Sequence, residues 1–499
     1  MLKVMGANFT FTLVAPHSLR VFLIVISLFG ESFLRGDVTL PAIFGDHMVL
    51  QQGTTIPVWG YASPGERVSV SYAGRYAETI TSASGSWRVT LRPLQYSKAP
   101  EIMVINGGNR IEFHDVIVGD VWLCAGDGNM AIPLSGASGG MDAAAKGDFG
   151  LRCFTPTRHA ALRSDKRGSG SWVVYTPESA PSFPAVPFFF ARDLRASRQV
   201  PVGLINCSVT ESAPIASWIS AEGIRGVASA DGSSHSDRSS LFDGLIYPLL
   251  PYPITGSIWY QGESDEGKAA LRYRILLPRL IRDWRAHWNQ GPFPFLIASP
   301  AGFGGSDDSA VEPLLGKDGK FRRGLPWLRD SLLSSLALPG TAIAETSDLG
   351  LPDDRHPPDK LDVGRRLARL ARHRVYGEQI ADSGPTLRAD RIEGNKVRLG
   401  FESHGGGLTV GISPASADGV SETGTLLVSS LKGFAIAGAN RKWFPATARI
   451  DRDEVILSSD AVPYPEVVRY NWKGYPIGNL YNKQGLPAAP FRTDTDQPR

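Results

Sequence analysis

Between residues 119 and 376 apolar strand-like runs alternate with helical ones, and this alternation restricts the fold more than any other feature of the chain. "VWLCAG", "VPVGLINCS", "PITGSIWYQGES", "PFLIASPA" and "TAIAETSDLG" read as strands, and "FFFARDLRA" reads as helical. "LRYRILLPRLIRDWRAHW" places Leu276, Leu277, Leu280, Ile281, Trp284 and Trp288 on one face at helical spacing, with Pro278 expected to kink or start the helix. "DKLDVGRRLARLARHRVYG" reads as a closing helix. Such alternation implies an α/β domain, a mostly parallel sheet with helices on its faces. Ligands then bind at the carboxyl ends of the strands. "WLCAGDGNM", "GLINCSVTE" and "WYQGESD" are each a strand followed by polar loop residues, so they are expected to meet at that end.

The flanks have a different texture. Residues 38–118 carry short alternating or β-branched runs punctuated by Pro64-Gly65, Ser84-Gly85 and Gly107-Gly108, the pattern of a small β-sandwich. Beyond residue 377 strands and turns return ("NKVRLGFE", "TARIDRDEVILSS"), which implies a second β domain. The expected division is a signal-peptide region at 1–36, an N-terminal β-sandwich at 37–118, a hydrolase-like core at 119–377 and a C-terminal β domain at 378–499. A length of 499 residues agrees with about three domains at ~150 residues each. Residues 228–240 and 301–310 are rich in Gly, Ser and Asp and read as surface loops.

The net charge is +3 with acids and bases interspersed, which argues against nucleic acid as partner. Lys3 and Arg20 precede the apolar run "VFLIVISLF". That run is far short of the ~20 residues needed to span a bilayer, so it reads as a cleaved export signal with no stable membrane span left behind. The mature protein is then expected to be periplasmic, extracellular or at the cell surface. Cys124, Cys153 and Cys207 are too few for a disulfide framework, and one bridge or three buried thiols both remain open. No His/Cys spacing suits zinc, so neither a metal nor a cofactor is expected.

Two motifs carry chemistry. In "DLGLPDDRHPPDK", Asp353 and His356 have the spacing that lets a carboxylate orient an imidazole and leave its other nitrogen free as a base. A capping Asp and a surface His before a helix would leave the same pattern. In "WYQGESD", Gln261 can donate to an oxyanion, and Glu263 can orient other groups or hold a helix start. A third stretch, "CAGDGNM", stands where many α/β hydrolytic enzymes place a serine, and it contains none.

Taken together, these segments resemble the sialate O-acetylesterase family, within the SGNH/GDSL-like carbohydrate esterases. The resemblance runs from about Leu40 to Asp494, through "LPAIFGDHMVLQQGTTIPVWGYASPGE", "VIVGDVWLCAGDGNM", "VPVGLIN", "LPYPITGSIWYQGESD", "HPPDKLDVGRRLA", "VRYNW" and "NLYNKQGLPAAPFRTD". It implies an SGNH-hydrolase-like parallel-sheet core between two β domains, and hydrolysis of O-acetyl esters on sialic acid or other sugars by Ser-His-Asp acyl transfer. In that family the first block reads roughly "CSGQSNM". This chain matches it with Gly128 at the nucleophile position, Asp127 at the preceding Gln position, and Asn129 retained. The second block, "WGGT" in the family, is replaced by Val209, Thr210, Glu211 and Ser212. Gln261, Gly262 and Glu263 match the third block, and Asp353 and His356 the last. The resemblance therefore places Asn129, Gln261, Gly262, Glu263, Thr210 and Glu211 around the oxyanion and substrate, with His356 and Asp353 as base and orienting acid.

These departures predict a degenerate site. Carboxylates at Asp127 and Glu211 would each oppose a developing oxyanion by roughly 3 kcal/mol at ~5 Å and an effective dielectric of ~20. The expectation is an exported pseudoenzyme that binds carbohydrate, such as O-acetylated sialic acid or a polysaccharide. A working acetylesterase using Cys207, Ser208, Ser212 or His356-activated water is the alternative, and a non-catalytic scaffold protein is the third reading.

Overall fold

The computed structural model describes residues 37–157, 167–227, 239–304, 310–316, 318, 320–411 and 430–496. The expected export signal lies outside the described residues, as do most of the 228–240 loop and residues 305–309 of the other. Among the described residues no helix is long and apolar enough to cross a membrane.

The N-terminal region pairs Ile56–Tyr61 with Ser86–Leu91, and sets Arg67–Tyr72 between Arg75–Ile80 and Ser97–Asn106. Alternation places Val68, Val70, Trp87 and Val89 inside while Arg67, Ser86 and Arg88 stay outside.

One strand leads from this region into the core. β1 (Arg110–Gly126) pairs in its first half with Ser97–Asn106 and Val49–Gln51, and in its second half with core strands. Its sequence changes with its surroundings. "RIEFHD" alternates in exposure, whereas the run 116–126, apolar but for Asp120, is buried on both faces, as a central parallel strand requires. The expected boundary at 118/119 thus falls inside one continuous strand.

The other core strands are β2 (Asp148–Pro156), β3 (Gly170–Tyr175), β4 (Val202–Ser208), β5 (Gly256–Tyr260), β6 (Phe295–Ala298) and β7 (Thr341–Ala344). They lie in the order β7-β6-β5-β1-β4-β2-β3, parallel except for the β2–β3 pair. Helices α1 (Ala185–Arg198) and α4 (Leu361–Arg374) share one apolar cluster with Trp122, Cys124 and Leu204. Helices α2 (Ala269–Trp288) and α3 (Leu325–Leu332) share the other with Leu123, Ala125 and Ile205. Neighbouring strand residues thus face opposite layers. α2 buries all six apolar positions named above and runs through Pro278 rather than starting at it. The carbonyl of Arg274, four residues earlier, accepts a hydrogen bond from Ser334 Oγ at 2.9 Å. That donor replaces the N–H that proline lacks.

The C-terminal region builds a four-stranded sheet from Thr386–Glu393, Lys396–Glu402, Glu454–Ser458 and Thr447–Asp451. A second four-stranded sheet includes Phe434–Ala437 and Val467–Tyr470. The region is docked on the core by buried charge. Arg329 of α3 donates to the carbonyls of Pro300, Ala301, Lys473 and Gly474, and Tyr481 Oη donates to Asp348 at 2.9 Å.

Candidate active site

Three strand ends meet where the sequence places them. In register, Gly126 of β1 lies between Ser208 of β4 and Tyr260 of β5. The approach at Gly126 requires glycine. Its φ is +148°, and a Cβ there would lie 2.0 Å from the Tyr260 carbonyl oxygen. The chain then turns into a single helical turn, Gly128–Ala131, with the Met130 amide donating to the Asp127 carbonyl at 2.8 Å. The Val209 amide donates to the Gly126 carbonyl at 3.0 Å, tying the second block to the first.

Gly128 faces His356. A Cβ built on Gly128 would lie 2.5 Å from His356 Nε2 and 3.1 Å from Cδ2. Gly128 is not among the positive-φ residues, so its backbone does not demand glycine. Among the described residues no side chain hydrogen-bonds the His356 ring, and the residue is exposed.

The loop that carries His356 is clamped on both sides. Asn129 Nδ2 donates to the Arg355 carbonyl at 3.1 Å and to Glu263 Oε1 at 2.7 Å. Lys360 Nζ donates to Asn129 Oδ1 at 2.8 Å and to the Pro357 carbonyl at 2.6 Å. Arg355 donates to Glu266 Oε1 at 2.9 Å and to the Glu263 carbonyl. The carbonyls before and after His356 are therefore both held by buried side chains on the nucleophile turn and the α4 start. Burial lowers the Lys360 ammonium to about 8, with Glu263 acting in the opposite direction.

Several expected roles are corrected by this geometry. Gln261 is wholly buried; its Nε2 donates to the Ala213 carbonyl at 3.0 Å and Asp265 Oδ2 at 2.8 Å, while Tyr273 Oη donates to its Oε1 at 2.7 Å. Its amide hydrogens are both taken up, so it secures the floor and does not face an oxyanion. Asn129, 1% exposed, is likewise fully bonded inward and acts as a positioning residue. Gly262, at φ +153° with Leu328 Cδ2 3.0 Å from a Cβ position, serves the turn. Glu263 opens a 3-10 turn and accepts a hydrogen bond from Asn129.

Asp127 is also different from expectation. It is buried, and Ser264 Oγ donates to its Oδ2 at 2.5 Å. Burial pushes its carboxyl up to about 8, and the Glu263 charge adds to this. Burial thus favours its protonated form, which weakens the charge opposition expected of it. Thr210 and Glu211 stand exposed just beyond β4, with Thr210 Oγ1 donating to Glu211 Oε2 at 3.2 Å.

Asp353 is exposed and makes no hydrogen bond or ion pair with His356; Asp354 instead accepts from the His356 backbone amide at 2.8 Å. Of the substitute nucleophiles, Cys207 is wholly buried and its thiol is pushed up by burial, which suppresses the reactive thiolate. Ser208 Oγ donates to Asn206 Oδ1 at 2.6 Å. Ser212 is exposed beside Glu211. Cys124, Cys153 and Cys207 are all free, buried thiols.

Sequence reasoning missed Lys360, Arg355 and Ser264. Lys360 follows "HPPD" at the head of an amphipathic helix, where a lysine is ordinarily solvated, and nothing local marks it as buried.

A profile of the family described as carbohydrate esterase, sialic acid-specific acetylesterase, matches residues 184–368. The sialate O-acetylesterase of Pongo abelii is 26% identical to this chain over 96% of its length and 97% of that protein's. The sialate O-acetylesterase of Homo sapiens is 26% identical over 75% of this chain and 78% of that protein. Among solved structures, a carbohydrate acetylesterase from Xanthomonas citri is 37% identical with a TM-score of 0.82, covering 92% of this chain and 100% of that one.

Proposed function

Because this chain belongs to the sialate O-acetylesterase family of carbohydrate esterases, we propose that it is an exported member that binds an acetylated sugar at the strand ends but has lost acyl-transfer chemistry. One observation carries this reading. At position 128, where the family's nucleophile stands, there is no side chain, and a Cβ there would lie 2.5 Å from His356 Nε2. Hydroxyl attack needs a nucleophile within hydrogen-bond reach of its base. The base is retained here and the hydroxyl is not.

The oxyanion side supports the same reading. Thr210 and Glu211 replace the glycines of the second block, and Gln261 is turned inward. Loss of one oxyanion donor typically costs on the order of 10²–10³ in rate. Asp353 makes no hydrogen bond or ion pair with the His356 ring, so no carboxylate orients it among the described residues.

The test is calorimetric titration with an O-acetylated sialoside, following free acetate in the same cell. Saturable binding without acetate is the expected result. Enzymatic turnover at the rate of an active relative would overturn the reading.

A second reading has one observation in its favour. His356 Nε2 faces the place left empty by Gly128, and burial favours the protonated form of Asp127 beside it. A water held there could be activated by His356 and hydrolyse an ester slowly. This reading requires acetate release that disappears in His356→Ala.

A further inference from the structure

A groove of about 790 Å³ lies at the other end of the core sheet, under the N-terminal β region. Its lining includes Pro201, which precedes β4, and Asp148, which opens β2, so it sits at the amino ends of the strands. β4 alone separates it from the candidate active site by roughly 20 Å.

Phe149 lines this groove with 78% of its surface exposed. Its backbone, in contrast, is fixed from both sides. Asp148 accepts two hydrogen bonds from Arg195, at 2.6 and 2.7 Å, and one from the Gly150 amide at 2.9 Å. Gly150 makes this possible, since a Cβ there would lie 2.5 Å from Arg195 Cζ. Arg152 Nε donates to the Phe149 carbonyl at 3.4 Å, and its Nη2 to Asp115 Oδ1 at 2.9 Å. Asp115 in turn meets His47 Nδ1 at 2.6 Å. His47 and Asp115 both hold φ values in the left-handed region, +66° and +55°, where non-glycine residues are uncommon.

The result is an exposed ring on a fixed backbone, beside planar polar groups whose geometry is already set. Such a surface suits a ligand with one apolar face and a hydroxylated edge, as a pyranose has. The Arg152 and Arg195 charges are matched by Asp115 and Asp148. Lys98 is not; it is exposed on the rim with no ion pair or hydrogen bond among the described residues. We propose that this groove is a second saccharide-binding site, for an acidic sugar unit whose ring stacks on Phe149 and whose carboxylate is met by Lys98. The choice of a sugar rests on the carbohydrate-esterase reading above; the place of binding does not.

The test is a titration of the full chain with trigalacturonate, and with maltotriose as the uncharged control, by calorimetry and saturation-transfer NMR. Phe149 and Lys98 are exposed, so alanine at either position leaves the fold intact. Phe149→Ala should weaken trigalacturonate about tenfold, the equivalent of ~1.4 kcal/mol. Lys98→Ala should weaken trigalacturonate and leave maltotriose unchanged. His356→Ala should change neither. Equal affinity in Phe149→Ala, or no trigalacturonate binding to the unmodified chain, overturns the proposal. Loss in His356→Ala with none in Phe149→Ala would put the sugar in the cleft, sinking the groove proposal while leaving the cleft reading intact.

Discussion

The buried support of the site and its exposed rim differ sharply. Beneath the nucleophile turn, Asn129, Glu263, Lys360 and Arg355 form a connected polar set that joins β1, the segment after β5 and the His356 loop. On the cleft side, half-buried Gly128 has no hydroxyl, Thr210 and Glu211 stand exposed, and Asp353 makes no hydrogen bond with His356. The difference teaches which residues fold stability keeps in place. A buried polar group that loses its partner costs about 1–3 kcal/mol, so each member of the lower set is held by the others. A surface hydroxyl or a glycine in a loop carries no such penalty and can change without unfolding the protein.

The sharpest way to break this comparison is Asn129→Ala. It strips hydrogen bonds from Glu263, the Arg355 carbonyl and Lys360 at once, and should cost about 3 kcal/mol or more in urea unfolding. A loss within about 0.5 kcal/mol would show that the lower set is not a structural unit.

Asp127 supplies a pH signature. Its folded value is raised to about 8 from 3.8, so the folded chain keeps a proton that the unfolded chain releases. Its favourable contribution is fully present below pH 3.8 and is lost as pH rises through about 8. Asp127→Asn removes this dependence. The variant should therefore gain stability relative to the parent between about pH 5 and pH 8, followed by chemical denaturation at each pH. A constant difference across that range would place Asp127 in a solvated, ionised state.

Gly128→Ser probes the rim from the other side. The His356 ring must withdraw by roughly 1 Å to reach ordinary contact with the new Cβ. The ring is exposed and free to move, so the expected stability change is within about 1 kcal/mol. Acetate release should rise little, because the altered second block remains and Asp353 still makes no hydrogen bond with His356. A rate near that of active relatives would show that the nucleophile alone was missing. The smallest effect belongs to Thr210→Gly with Glu211→Gly. It should shift stability by no more than about 0.5 kcal/mol and raise acetate release only when combined with Gly128→Ser.

Much of this molecule was legible in the sequence because period and burial agree. The β/α alternation gave the parallel sheet, and the apolar face of α2 is the buried one. The domain boundary was less legible, since "HDVIVGDVWLCAG" has no turn signal between its two pairing environments. In the site, Gly128 and His356 were singled out from matched segments, and the geometry between them is a matter of the fold. The inward turn of Gln261 was not legible, because a polar residue after a strand faces either way in one dimension. The raised value of Asp127 comes first from burial and then from Glu263, far along the chain, and the buried Lys360 ammonium finds its partner in Asn129, equally distant in sequence. Neither pairing leaves a local trace.

The most direct measurement is acetate release from an aryl acetate and an O-acetylated sialoside by the purified protein and by His356→Ala side by side. Identical background rates are the predicted result, since a base without a nucleophile does not complete acyl transfer. Release that is present in the parent and absent from His356→Ala would contradict the account and show that the site still turns over.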